Sequence, residues 1–349
     1  MSYKLSAGKC IQLISYSLYL IANTVFAQSD SQAVNLFRNG EYLRDIAICK
    51  ALIKANKNDT IAYIYRGLSK EAVKDYSGAR DDFKKVSKLR PFDAEAHFKL
   101  AVLWSETEDY YHSIKEYSKA ISMDSSYSVA YNNRGNSEYL VGDAKSAMKD
   151  FTSAIEKDST YPDPYYNRGH LKMVMGDIKG AIADFTMTVA LMLEDADGWF
   201  CRGQCYDDLN DTIAALNDYD NAIQIDSTYL DAFYYRGVDK FKLGDARGAV
   251  GDFSRIIKSD TEEIELYNHR GVAYDSLKEY KLAIADFTKS MKIDPGDGQA
   301  YLGRGYAYLK TGDREKACDD FNNAYYADIT IAEVYIDKYC RRKIHIFRR

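Results

Sequence analysis

Residues 128–161 read SVAYNNRGNSEYLVGDAKSAMKDFTSAIEKDSTY, and residues 162–195 follow as PDPYYNRGHLKMVMGDIKGAIADFTMTVALMLED. Laid one over the other, Tyr131 falls on Tyr165, Arg134-Gly135 on Arg168-Gly169, Gly142-Asp143 on Gly176-Asp177, and Asp150-Phe151 on Asp184-Phe185. The period is 34 residues. Outward from this pair, Arg-Gly recurs at Arg66-Gly67, Arg202-Gly203, Arg236-Gly237, Arg270-Gly271 and Arg304-Gly305, with Leu100-Ala101 in the remaining register. Eight units therefore run from Thr60 to Ile331 without insertion or deletion. A period of this length implies a supersecondary unit that can bury its faces only by stacking on its neighbours.

Numbered from 1 at Thr60, position 4 is Tyr63, His97, Tyr131, Tyr165, Trp199, Phe233, Tyr267 and Tyr301. Position 8 is Gly except at Ala101, and position 20 is Ala except at Ser113. Position 24 is Phe or Tyr throughout, from Phe83 to Phe321. Within each half the apolar residues recur every three or four positions, which predicts two helices per unit joined at turns such as Gly142-Asp143 and Gly244-Asp245. Small residues at 8 and 20 let the two helices approach where they cross, and the rings at 4 and 24 fill the space beside the crossing.

These residues carry a resemblance. The unit resembles the tetratricopeptide repeat, whose pattern is an aromatic at 4, Leu at 7, Gly at 8, Tyr at 11, Ala at 20, an aromatic at 24, Ala at 27 and Pro at 32. The likeness covers about four-fifths of the chain. Arg stands at position 7 in seven units, a ring stands at 11 only in Trp104, Tyr206, Tyr274 and Tyr308, and Pro stands at 32 only in Pro91 and Pro295. The resemblance implies an all-α, right-handed superhelical solenoid of antiparallel helical hairpins. It also implies a non-enzymatic interaction scaffold, with a groove lined by first-helix positions 2, 5, 6, 9, 12 and 13.

In the central units those positions nominate Asn132, Asn133, Asn136 and Tyr139, then Tyr166, Asn167, His170 and Met173. Phe200, Cys201, Gln204 and Asp207 come next, then Tyr234, Tyr235, Val238 and Phe241, then Asn268, His269 and Asp275. Amides can bond the backbone of an extended peptide, and rings offer apolar contact at low entropic cost. Asp163, Asp197, Asp207, Asp208 and Asp231 are expected nearby, which favours a neutral or basic segment over an acidic one. Family members that clamp C-terminal carboxylates use Lys at position 2. No unit here has one.

Asp occupies position 23 in every unit with Arg at 7, and Glu116 replaces it only where Leu100 replaces Arg. A pair repeated seven times is expected to be structural rather than catalytic. No catalytic signature, metal-ligand spacing or Gly-rich phosphate loop is found, so no enzyme activity, metal or cofactor is expected. Cys201 and Cys205 are expected to be buried or groove-side thiols. The remaining Cys49, Cys318 and Cys340 are too widely spaced to declare a disulfide framework.

The ends read differently. Residues 1–27 combine Lys4 and Lys9, an apolar run from Cys10, and Val25-Phe26-Ala27, the order of a secretory signal cleaved before Gln28. Residues 28–59 are a degenerate first hairpin, 60–331 the eight units, and 332–349 a capping helix with a basic tail. The mature chain is expected to be exported, periplasmic or secreted, with no transmembrane segment. The whole chain carries −5; setting aside +2 in 1–27 and +5 in 337–349 leaves −12 on residues 28–336. Such a body is a poor nucleic-acid binder. The tail residues Lys338, Arg341, Arg342, Lys343, Arg348 and Arg349 suggest an alternative, an envelope-associated structural protein that contacts membrane or glycan. The sequons at Asn58 and Asn210, the partner's identity and the oligomeric state stay open.

Overall fold

The computed structural model describes residues 32–259 and 263–340, and all regular structure among them is helical. Residues 1–31, on which the expected signal sequence falls, and the tail from Arg341 onward lie outside the described residues. The chain forms two bodies, one ending at Pro164 and one beginning at Tyr165. In the first, helices pair as Gln32–Arg38 with Tyr42–Ala55, Thr60–Ala72 with Tyr76–Leu89, Ala94–Glu106 with Tyr110–Met123, and Ser128–Leu140 with Ala144–Lys157. Asp163–Val174, whose first residues close that body, pairs with Ile178–Leu191 in the second. There follow Ala196–Asp208 with Thr212–Ile225, Leu230–Lys242 with Ala246–Ile257, Ile264–Ser276 with Tyr280–Ile293, and Gly298–Thr311 with Arg314–Tyr326. The fold is a solenoid of consecutive helical hairpins.

Each hairpin closes on the pairs that the period foretells. A Cβ on Gly203 would lie 2.7 Å from the Tyr219 ring, and one on Gly135 2.8 Å from Phe151. Position 8 is Gly because the ring at 24 packs against bare backbone. Between the helices, position 15 is left-handed in every unit: Gly142, Gly176, Gly244 and Gly312 have φ of 82–88°, and Lys74, Glu108, Asn210 and Lys278 have 59–64°. This residue ends the first helix, and in every unit but that of Glu279 the Asp after it caps the second, as where Asp143 accepts from the Ser146 N–H at 3.1 Å.

The position-7 arginines join the hairpins. All seven donate from Nε and Nη2 to both oxygens of the position-23 Asp, for example Arg202 to Asp218 at 2.7 and 2.8 Å and Arg304 to Asp320 at 2.8 and 2.8 Å. Each guanidinium also lies over the position-4 ring, from 4.8 Å at Trp199 to 5.9 Å at Tyr301. At Arg134, Arg202, Arg236, Arg270 and Arg304, Nη1 also reaches position 25 of the preceding unit, as from Arg134 to Ser118 at 2.9 Å, Arg236 to Asp220 at 2.6 Å, and Arg270 to Ser254 at 3.1 Å. One side chain thus ties three helices. In the exceptional unit, Leu100 is buried, and Glu116 is held instead by His97 Nδ1 and Lys119 Nζ, each at 2.7 Å.

Two features depart from the sequence reading. Cys318 and Cys340 form a disulfide with Cα atoms 5.5 Å apart, joining the last long helix to the segment after it. The expected capping helix is short, Ala332–Tyr335, and runs into a π-helical turn, Ile336–Cys340, that the sequence reading did not include. Tyr335 stacks on Phe321 at 5.1 Å and closes the end of the array.

Position 11 explains one pH-sensitive joint. Lys70, Lys172 and Lys240 stand there and place Nζ 2.8–2.9 Å from the position-23 carboxylate. Glu138 occupies the same place beside Asp150. Burial, then the Asp150 charge, raises its carboxyl to about 7. The folded state therefore prefers the protonated acid, and the stability this gives is full below the unfolded value near 4.5 and lost as pH rises through about 7. The shift corresponds to about 3 kcal/mol at most. Glu138→Lys is expected to melt higher than wild type at pH 8, with the gap closing towards pH 5. Thermal unfolding across that range is the check. Asp239, raised to about 6, retains the rest of the slope.

Candidate functional site

The nominated first-helix residues divide by what position 5 meets. Where position 34 of the same unit is Tyr, position 5 packs beneath it. Phe98 stacks on Tyr127 at 4.8 Å, Phe200 lies 5.0 Å from Tyr229, and Asn132 Nδ2 donates to the Tyr161 hydroxyl at 3.2 Å. Phe200 also touches Tyr219 and Tyr235 and is 5% exposed; Asn132 is 2% exposed. Both were expected to line a groove, and both are instead packed into the joint between units. Cys201 is buried with them.

Where position 5 is itself Tyr and position 34 is acidic, position 5 turns towards the next unit. Tyr166 precedes Asp195 at that place, and its hydroxyl lies 3.8 Å from Cys201 Sγ. Tyr234 precedes Glu263, and its hydroxyl lies 3.2 Å from His269 Nε2. Each tyrosine stands edge-on to a core ring, Tyr166 to Phe185 and Tyr234 to Phe253, and stays half-buried. Tyr235 bridges Phe200 and Tyr219 and is also half-buried. In this second body the tyrosines share a face with Asn167, His170, Gln204, Asn268 and His269, all partly open to solvent. Asn268 Nδ2 donates to Asp297 Oδ2 at 2.7 Å. In the first body Asn133 and Asn136 are half-buried, and Tyr139 is 40% exposed.

The titratable groups on this face are tuned by burial rather than for chemistry. Burial lowers the imidazoles of His170 and His269, which keeps them neutral near pH 7. His170 Nε2 sits 3.8 Å from Cys201 Sγ, but burial pushes that thiol up to about 12, the opposite of an activated nucleophile. Cys205 is likewise raised to about 12. Among the described residues, no group of three or more His, Cys, Asp and Glu side chains could hold a metal ion. No described helix is long and apolar enough to cross a membrane.

The acids expected beside the groove are partly committed. Tyr161 and Tyr229 hydrogen-bond Asp163 and Asp197, and the Tyr219 hydroxyl donates to Asp207 Oδ2 at 2.7 Å. Asp208 and Asp231 stay exposed. Sequence reading missed the inward acids outside the central units, Glu71 and Glu106; their signal was charge at positions 12 and 13.

Residues 196–229, 264–297 and 298–328 match the tetratricopeptide repeat family. The chain carries tetratricopeptide repeats. Its fold is similar to that of YrrB, a tetratricopeptide-repeat protein with an unusual peptide-binding site: 21% identity, TM-score 0.52, covering 55% of this chain and 99% of that one. It is also similar to the C-terminal part of a tetratricopeptide-repeat protein from Cytophaga hutchinsonii, at 17% identity and TM-score 0.52, covering 78% and 97%. Pseudomonas aeruginosa PilF gives 20% identity and TM-score 0.52, covering 57% and 90%. At these identities the likeness is one of fold. No curated protein matches the sequence. Tetratricopeptide-repeat proteins are generally non-enzymatic scaffolds for protein–protein contact.

The buried thiols give a direct check. In the native protein a thiol-reactive probe at pH 7.5 is expected to leave Cys201 and Cys205 unlabelled, and denaturant should expose both. Peptide mapping of the labelled sites measures this.

Proposed function

We propose that this chain is an exported docking scaffold that takes an extended segment of a partner protein along the position 5, 6 and 9 face of its second body. The carrying observation is the recurrence of Tyr166 and Tyr234. Each is anchored edge-on to a core ring, with part of its own surface left to solvent beside Gln204, His269 and Asn268. Rings held this way offer apolar contact with little rotamer entropy left to lose, and the amides can bond a peptide backbone. YrrB, which carries a peptide-binding site on the same kind of repeat, is a precedent of fold only. The acidic body and exposed Asp208 and Asp231 favour a neutral or basic segment and disfavour phosphodiester backbones.

Capture of partners by crosslinking in the native compartment tests the face. Tyr166→Ala/Tyr234→Ala, shown to be folded by circular dichroism, is expected to lose the partner, since aromatic anchors at such faces are worth about 2 kcal/mol each. Undiminished capture by the folded variant, with loss on deleting 338–349, would transfer the function to the basic tail.

Export is supported by the leader-like residues 1–27 and by the Cys318–Cys340 disulfide, because such bonds persist in oxidising compartments. Intact mass of protein from outside the cytoplasm is expected to give a chain starting at Gln28 with that bond oxidised. Reducing it should lower the melting temperature, since closing 22 residues of chain is worth about 3 kcal/mol on the loop-entropy account. Recovery only as an uncleaved, reduced cytoplasmic chain would end this part of the reading.

A further inference from the structure

Position 12 of one first helix and position 13 of the next form a recurring register. Across units 196–229 and 230–263 it holds Asp207 and Lys242, whose Nζ lies 3.7 Å from Asp207 Oδ1 and 2.8 Å from the buried Asp239 Oδ1. Across the last two units it holds Asp275 and Lys310. Burial raises the Asp275 carboxyl, and the Lys310 charge opposes the rise. The first acid is ion-paired by its lysine, and the second meets only the charge of its lysine.

Across units 60–93 and 94–127 the same register holds Glu71 and Glu106, and the lysine is missing. Both carboxylate oxygens of Glu71 are shut off from solvent and have no hydrogen-bond partner. Burial, then the Glu71 charge, raises the Glu106 carboxyl, and no cation moderates it. The Tyr76 phenol is raised too, by burial and by both carboxylates. A desolvated acid without a counter-charge is costly, so a site of this kind favours a cation.

We propose that Glu71 and Glu106 are a receptor for the ammonium group of a lysine on a partner segment, which takes the place that Lys242 and Lys310 fill in later units. This rests on the docking reading above and extends it to the first body. The Lys242 side chain is 53% exposed, so the place its ammonium holds in the later unit opens to solvent. Lysine suits the site better than arginine. The two carboxylates come from different helices and ask for a compact charge with rotatable donors, whereas the planar guanidinium prefers both oxygens of one carboxylate, as in the Arg-Asp pairs of this same chain.

The test uses the full chain and capped hexalysine, hexaarginine and fully acetylated hexalysine, with affinity measured by calorimetry at 150 mM salt. Hexalysine is expected to bind wild type more tightly than hexaarginine does, and the acetylated peptide is expected not to bind. Glu71→Gln/Glu106→Gln should weaken hexalysine at least tenfold. The charge-matched control Asp81→Asn/Glu156→Gln, at exposed positions of the same body, should change it less than twofold. Glu106→Lys, which builds the later units' pair into this site, should lose binding equally and also raise the melting temperature. Equal losses from both double variants, equal binding of the two cationic peptides, or a Glu106→Lys protein that melts lower or binds undiminished would each overturn the proposal. The docking face fails separately: if hexalysine follows the glutamates while partner capture ignores Tyr166 and Tyr234, the lysine receptor stands and that face does not.

Discussion

The structure depends on a guanidinium that cannot be left alone. Each position-7 arginine is mostly buried and satisfied by a bidentate Asp and an aromatic face, and five of the seven also by an acceptor on the preceding hairpin, as Arg202 by Thr186. Lysine could supply the charge but not the planar fork or the stacking. The Asp is buried too, so either partner without the other would strand a charge at a cost of about 3–5 kcal/mol. The close helix crossing at Gly and the tight turn at position 15 serve this geometry, because they fix how far position 7 lies from position 23.

The same packing governs what the face can bind. A position-5 side chain is pulled under a Tyr at position 34, whereas Tyr166 and Tyr234, which have an acid there, reach towards the next unit. Surface available for recognition is thus set one residue before the following helix begins. Tyr166 and Tyr234 belong to both core and face, which makes them stiff; it also makes them poor sites for silent substitution.

Much of this was legible in the sequence because a strict period averages away local ambiguity. The hairpins, the crossing glycines and the Arg-Asp pairing follow from residues that hold the same place in nearly every unit. What did not follow lay where a unit differs from its neighbours. Phe200 and Asn132 were assigned to a groove by position alone, and the Tyr that buries each is 29 residues further on. The Cys318–Cys340 bond was hidden by the wide spacing of the cysteines and by a π-helical turn that no propensity announces. Glu71 and Glu106 were overlooked because each is an unremarkable acid until its register partner is known.

The exceptional joint has a consequence for how such an array can change over generations. Because Arg202, Arg236, Arg270 and Arg304 each reach one hairpin back, a 34-residue segment copied among those units brings an acceptor for the next arginine and an arginine for the last acceptor. Ordinary units can therefore be gained or lost without stranding charge. The joint at Leu100 cannot be inherited piecemeal. Lys84 stands at position 25 of the preceding unit, where an arginine at 100 would meet a second cation; it lies instead against the Trp104 ring at 4.8 Å. Lys84, His97, Leu100 and Glu116 form one allele in four places. A recombination that separates them would leave one cation facing another or a carboxylate without its imidazole.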